Sequence, residues 1–382
     1  MILSKVMTSG ENAIMTRSPV LELSIPIQEP KNAEASRLVD VCDGIPGPSD
    51  REEATWATLV SPADARMVYS GRMRFSDPGA PVILWQGLAI QACFSGTSLG
   101  IRLRDSGNNH FNVVIDRRFD RPTLLRCRPG EHTYPLAAGL ADTIHQLEVF
   151  RRTETFYGPT VFQGLVLEQG QSLLTPPSPA SLRIEFYGDS MTVGACNEDG
   201  EEDQWNSAAT HNNYRSYAAM TARALRAEAR TIAVSGIGLT LGYQSFNMIQ
   251  IWDRLGGDPA SEPWDFACWT PDLVVVNLGE NDKSMGVDEE FAPAYLCFLR
   301  RIREKYPGAH LFCLLGPMSA GHPDSSFRGH VQRAVQTLQR QGDDRIHVHF
   351  FEVTCWKHPR VDVHKQMALE LVELIQSKLP RS

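Results

Sequence analysis

The chain has 382 residues, 42% of them hydrophobic and 21% charged, with a formal net charge of −8. This is the balance of a globular protein with enough apolar material for two or three domain cores. A mildly acidic chain offers no electrostatic reason for nucleic acid or an anionic membrane as a partner. No stretch approaches the roughly eighteen consecutive apolar residues of a membrane-crossing helix.

Residues 1–60 are weakly patterned, and Ile45-Pro46-Gly47-Pro48-Ser49 is loop-like, so a partly irregular N-terminal arm is expected there. The arm has no apolar stretch of secretory length. That predicts a cytoplasmic protein, or a secreted one whose leader precedes this numbering. The eight cysteines are scattered without a Cys-x-x-Cys pair, so zinc spacing is absent. Cys93, Cys297 and Cys313 sit in apolar runs and are expected to be buried.

From 61 to 174 the pattern is β. Strand-length runs occur at 66–70, 82–85, 90–95, 99–104, 111–115, 133–136, 144–151 and 160–167. Gly, Asn, Asp and Pro punctuate them, which predicts a β-sandwich of jelly-roll type. Thr175-Pro176-Pro177-Ser178-Pro179 can continue neither a helix nor a central strand, and reads as the linker. From 180 to 382 strands and helices alternate. Strands are predicted at 182–187, 230–234, 272–278, 309–315 and 346–351, and helices at 214–227, 288–306, 327–341 and 361–378. Five strands alternating with helices predict a doubly wound, three-layer α/β domain with a parallel sheet. Its most apolar strand, Leu273-Val274-Val275-Val276, suits burial on both faces.

Four signals follow separate predicted strands, where such a sheet gathers its loops. Gly188-Asp189-Ser190 places a hydroxyl at a helix start, where backbone N–H groups meet developing negative charge. Taken alone, Ser190 reads better as a helix cap. Ser235-Gly236-Ile237-Gly238 can present a backbone N–H without a Cβ in the way, though an ordinary turn glycine explains it as well. Gly279-Glu280-Asn281-Asp282 offers an amide donor, or simply a polar turn. His358-Pro359 offers an imidazole that can take and return a proton, in a chain with 11 histidines.

In the order Ser, Gly, Asn, His, these blocks resemble the SGNH (GDSL-like) hydrolases, whose fold is flavodoxin-like. The preceding sandwich narrows the resemblance to the family-2 carbohydrate esterases, as do Tyr214-Arg215-Ser216-Tyr217-Ala218, Trp264-Asp265-Phe266, Gly71-Arg72 and the region 108–116. The resemblance implies a serine esterase that deacetylates sugars or polysaccharides without a cofactor or metal, as acetyl xylan esterases do. It implies Ser190 as nucleophile, His358 as base, and Gly236 and Asn281 as oxyanion donors. Asp189, Trp269, Trp356 and Lys357 are the candidate substrate contacts.

The chain departs from that pattern at one place. The carboxylate usual two or three residues before the histidine is missing, because Cys355 and Trp356 stand there. Some carbohydrate esterases of the family resemble this case, and the resemblance implies a Ser–His dyad here, with backbone carbonyls orienting the imidazole. Glu352 folding back, or Asp362 with His364 as the base, are the alternatives. The acidic stretch Asn197-Glu198-Asp199-Gly200-Glu201-Glu202-Asp203 reads as a solvated loop, or as a rim that disfavours anionic substrates. Two other functions use the same residues: acyl transfer to an alcohol, and carbohydrate binding by an inactive hydrolase domain.

Overall fold

The computed structural model describes residues 56–379, apart from 177. The expected arm lies outside the described residues up to 55, and its last part, Trp56–Val60, is a strand. This strand (β1) begins a run that continues with β2 Val68–Ser70, β3 Met73–Arg74, β4 Val82–Ile83, β5 Ala89–Gly96 and β6 Leu99–Asp105. β7 His110–Ile115, β8 Thr123–Arg126, β9 Gly130–Ala137, β10 Thr143–Arg151, β11 Thr160–Glu168 and β12 Leu173–Leu174 complete it. They form two antiparallel six-stranded sheets, one ordered β3-β4-β11-β6-β9 with β1 on β11, the other β12-β5-β10-β7-β8 with β2 on β5. Alternation decides the packing. Leu99, Ile101 and Leu103 of one sheet meet Ile90, Phe94, Val113 and Val149 of the other in one buried core.

The second sheet system is parallel, ordered β14-β13-β15-β16-β17. Its strands are β13 Arg183–Gly188, β14 Glu228–Ala233, β15 Leu273–Asn277, β16 His310–Leu315 and β17 Ile346–Phe350. The helices are α1 Ser190–Val193, α2 Tyr217–Ala224, α3 Met248–Ile251, α4 Glu280–Ser284, α5 Phe291–Lys305, α6 Ser326–Arg340 and α7 Val361–Lys378. Strand alternation sorts the apolar side chains into two cores. Val274 and Val276 face α5 and α6, with Phe298 and Val331. Leu273 and Val275 face α2 and α7, with Met220 and Leu371. The chain leaves β13 to one side for β14, then returns to the other side for β15. The loops therefore diverge beyond the carboxyl ends of β13 and β15, which is where doubly wound sheets open a crevice.

The sandwich reaches into the parallel-sheet lobe. Trp85 is buried in the core under α5 and α6, and its indole N–H donates to Leu255 O at 2.8 Å. Arg72, fully buried, pairs with Glu185 at 3.0 Å and donates to Trp252 O at 2.7 Å. Cys93 and Cys313 are buried as expected, but Cys297 is exposed on the outer face of α5. All seven described cysteines are free. Among the described residues, no helix is long and apolar enough to cross a membrane.

Candidate active site

β13 ends in Gly188, and the chain turns at once into α1, whose first residue is Ser190. The Asp189 side chain caps that helix by accepting the Met191 N–H at 3.1 Å. The turn holds the Ser190 hydroxyl toward the loop after β17. There, His358 Nε2 lies 2.9 Å from Ser190 Oγ.

His358 Nδ1 lies 2.7 Å from Asp203 Oδ2, and the His358 backbone N–H approaches the same oxygen at 3.4 Å. The other Asp203 oxygen accepts from Arg360 Nη1 at 2.8 Å. This corrects the expected dyad: a carboxylate, not a carbonyl, orients the imidazole. It comes from the acidic loop after the nucleophile, so that loop is not merely solvated. The alternatives fall as well. Glu352 is exposed. His364 is buried in α7, where its Nδ1 accepts the Tyr217 N–H at 3.1 Å, and burial pushes its pKa down to about 3. No local spacing marks Asp203. The readable trace is the pairing of an acidic run with Arg360, two residues past the histidine.

Burial pushes the Asp203 carboxyl up, but hydrogen bonds from His358 and Arg360 outweigh it and hold the group below the ordinary aspartate range. Burial lowers His358 below its usual 6.5, while the Asp203 hydrogen bond and charge push back. The base is thus neutral near pH 7, one ring nitrogen facing the hydroxyl and the other facing a charge. Trp205 meets the imidazole edge to face, with ring centroids 4.6 Å apart.

Gly236 and Asn281 enter from the loops after β14 and β15. Gly236 has φ +77°, a conformation that disfavours a side chain, and a Cβ there would stand 3.2 Å from Tyr243 Cβ. Gly279, at φ +133°, makes the equivalent turn before α4. Asn281 Nδ2 donates to Ile237 O at 2.8 Å, which ties the two loops together and leaves its second amide hydrogen free to donate elsewhere. Asp282, fully buried, accepts from the N–H groups of Leu239 at 2.8 Å and Thr240 at 2.7 Å. Four residues far apart in the chain thus stand on loops at one end of the sheet.

Three of the expected substrate contacts are engaged within the protein itself. Asp189 is fully buried under α1, and burial holds its carboxyl well above the usual range. Trp269 precedes β15, at the opposite end of the sheet, where it is buried beneath the Arg230 guanidinium at 4.0 Å. Lys357 turns away to Glu202 Oε1 at 2.5 Å and Glu201 O at 3.0 Å, strapping down the acidic loop. Trp356 remains 77% exposed, against the His322 ring at 4.3 Å. One described cluster could offer metal ligands, namely Cys196, Asp199 and Asp203, with donor atoms within 4.8 Å of one another. The Arg360 guanidinium already stands against Asp203 there.

Comparison with known proteins accords with this architecture. Residues 69–177 match the model for the carbohydrate esterase 2 N-terminal domain, and 186–369 match that for the GDSL-like lipase/acylhydrolase family. A solved family two carbohydrate esterase from Clostridium thermocellum, in complex with cellohexaose, superposes with TM-score 0.77 at 33% identity, covering 82% of this chain and 98% of that one. The cellulase/esterase CelE of Acetivibrio thermocellus is 36% identical over 330 residues, 82% of this chain but 39% of CelE. The chain therefore spans about two fifths of that relative. An acetylxylan esterase / glucomannan deacetylase of Cellvibrio japonicus is 25% identical over 329 residues, 82% of this chain and 88% of the relative. Fold and loops thus define a GDSL-like hydrolase domain carrying an N-terminal β-sandwich. The chain belongs to carbohydrate esterase family 2.

Proposed function

We propose that the protein removes O-acetyl groups from acetylated sugars or polysaccharides by serine acyl transfer. One observation carries this reading: the unbroken relay from Ser190 Oγ through His358 to Asp203, at 2.9 and 2.7 Å. Ser190 Oγ attacks the acetyl carbonyl carbon as His358 Nε2 takes the hydroxyl proton. Asp203 holds the tautomer that leaves Nε2 free and stabilises the imidazolium. The oxyanion meets the free amide hydrogen of Asn281 and the backbone N–H groups of Gly236 and Ser190. The tetrahedral intermediate collapses, breaking the bond to the sugar oxygen, which takes the proton from His358. Water, deprotonated by His358, then cleaves the acyl-enzyme to acetate and restores Ser190.

The exposed apolar groups support a sugar substrate. Trp205, Leu241, Tyr243 and Trp356 stand on the loops that carry the relay and the oxyanion turn. Exposed aromatic surface gathered at a polar site is the mark of a ligand groove. The inactive-domain alternative rested on a missing carboxylate, and Asp203 removes that motive. The test is acetate release from acetylated xylan, glucomannan and simple sugar acetates. Wild-type protein is expected to release acetate and Ser190→Ala to lose the activity by at least about 10³-fold. Undiminished release by Ser190→Ala would overturn the reading.

A further inference from the structure

Glu154 follows β10 and belongs to the sandwich, yet its fully buried carboxylate points into the loop after β14. Oε2 accepts the Ser235 N–H at 3.1 Å and Oε1 accepts the Ser235 hydroxyl at 3.0 Å. A buried carboxylate is costly to desolvate, so packing alone does not explain it. The carboxylate is met by both the N–H and the hydroxyl of Ser235, the residue immediately before Gly236, and by the buried His211 imidazole, whose Nδ1 lies 3.6 Å from Oε1.

The peptide joining Ser235 to Gly236 is planar, so its N–H points opposite to its C=O. Gln244 Nε2 donates to that C=O at 2.7 Å, on the far side from the Gly236 N–H. Glu154 fixes the preceding N–H, and the Tyr243 N–H fixes Gly236 O at 2.7 Å. The plane is thus held before, across and after the bond. The same sandwich segment also grips the loop that carries Asp203. Arg152 pairs with Glu198 and donates to Ala209 O at 2.6 Å.

We infer that Glu154 is a positioning residue of the ester-cleaving site: bound to Ser235, it aims the Gly236 N–H at the oxyanion, so that the sandwich sets the catalytic geometry. The inference rests on the proposed role of Gly236. An oxyanion donor out of line costs turnover and not ground-state binding.

The experiment compares Glu154→Gln, Glu154→Ala and Leu103→Ala, the last a cavity in the sandwich core, for 4-nitrophenyl acetate hydrolysis and melting temperature. Glu154→Ala is expected to lower kcat about 10- to 100-fold with KM within about twofold. Glu154→Gln, which keeps the shape and one acceptor, should recover part of that loss. Leu103→Ala should lower the melting temperature and leave kcat near wild type. Wild-type kcat in both Glu154 variants, or an equal kcat loss in Leu103→Ala, overturns the inference. Amide exchange reads the same turn without turnover. The Ser235 N–H should exchange at least about tenfold faster in Glu154→Ala while Val275 N–H is unchanged, and unchanged exchange at Ser235 refutes the inference. If wild-type hydrolysis instead proves independent of Ser190, the functional reading fails while the exchange result still judges the positioning.

Discussion

At the scale of single residues the pH dependence follows from His358. It must be neutral to accept the Ser190 proton, and burial depresses its pKa below 6.5 against the pull of Asp203. The value of kcat/KM is therefore expected to rise with pH through an apparent pKa below 6.5 and to be level above it. Asp203→Asn removes the charge that pushes the imidazole pKa upward. The acid limb should then move to lower pH while the plateau falls by about 10³- to 10⁴-fold. A pH–rate series decides this, and an acid limb that moves upward counts against Asp203. Asn281→Ala removes a side-chain oxyanion donor and should lower kcat by about 10²- to 10³-fold, read in steady-state hydrolysis of 4-nitrophenyl acetate.

At the scale of elements, the loop from 197 to 212 and the loop before α7 act as a pair. Arg360 joins them: Nη1 holds Asp203 at 2.8 Å and Cys196 O at 3.0 Å, and Nε holds Gly200 O at 2.9 Å. Its positive charge also lowers the His358 pKa, as a lesser influence than burial and Asp203. Arg360→Ala should therefore reduce turnover by freeing Asp203 and, where the relay persists, shift the acid limb upward, opposite to Asp203→Asn. The opposed shifts in the two profiles distinguish a charge effect from general loosening. Regular elements were readable where periodicity is strong: the Leu-Val-Val-Val strand, and α5, α6 and α7, lie where patterning places them. The strand at Trp56–Val60 was not, because it earns its pairing only from β11, more than a hundred residues later.

At the scale of the molecule, the two lobes share buried chemistry. Arg72 crosses from the sandwich to Glu185, with both side chains fully buried. Tyr187 and Tyr306 hydroxyls donate to the second Glu185 oxygen, each at 2.7 Å. Removing one partner of such a pair leaves an uncompensated buried charge. Arg72→Ala is expected to lower unfolding free energy by about 3–5 kcal/mol, measured by denaturant titration. A loss under about 1 kcal/mol would mean that water reaches Glu185 once Arg72 is gone.

The sequence by itself determined the two patterns, antiparallel alternation followed by strand–helix alternation, and the strand-end motifs holding Ser190, Gly236, Asn281 and His358. Periodicity and turn chemistry are local, so they are written in neighbouring residues. Only the tertiary structure decided what orients His358, since Asp203 lies 155 positions away on a loop of no fixed period. It also decided that Asp189 and Trp269 are buried, that Lys357 serves the acidic loop, and that Glu154 stands beneath Ser235. Each of these depends on which loops the closed fold brings face to face, and contact across distant segments leaves no mark in local spacing.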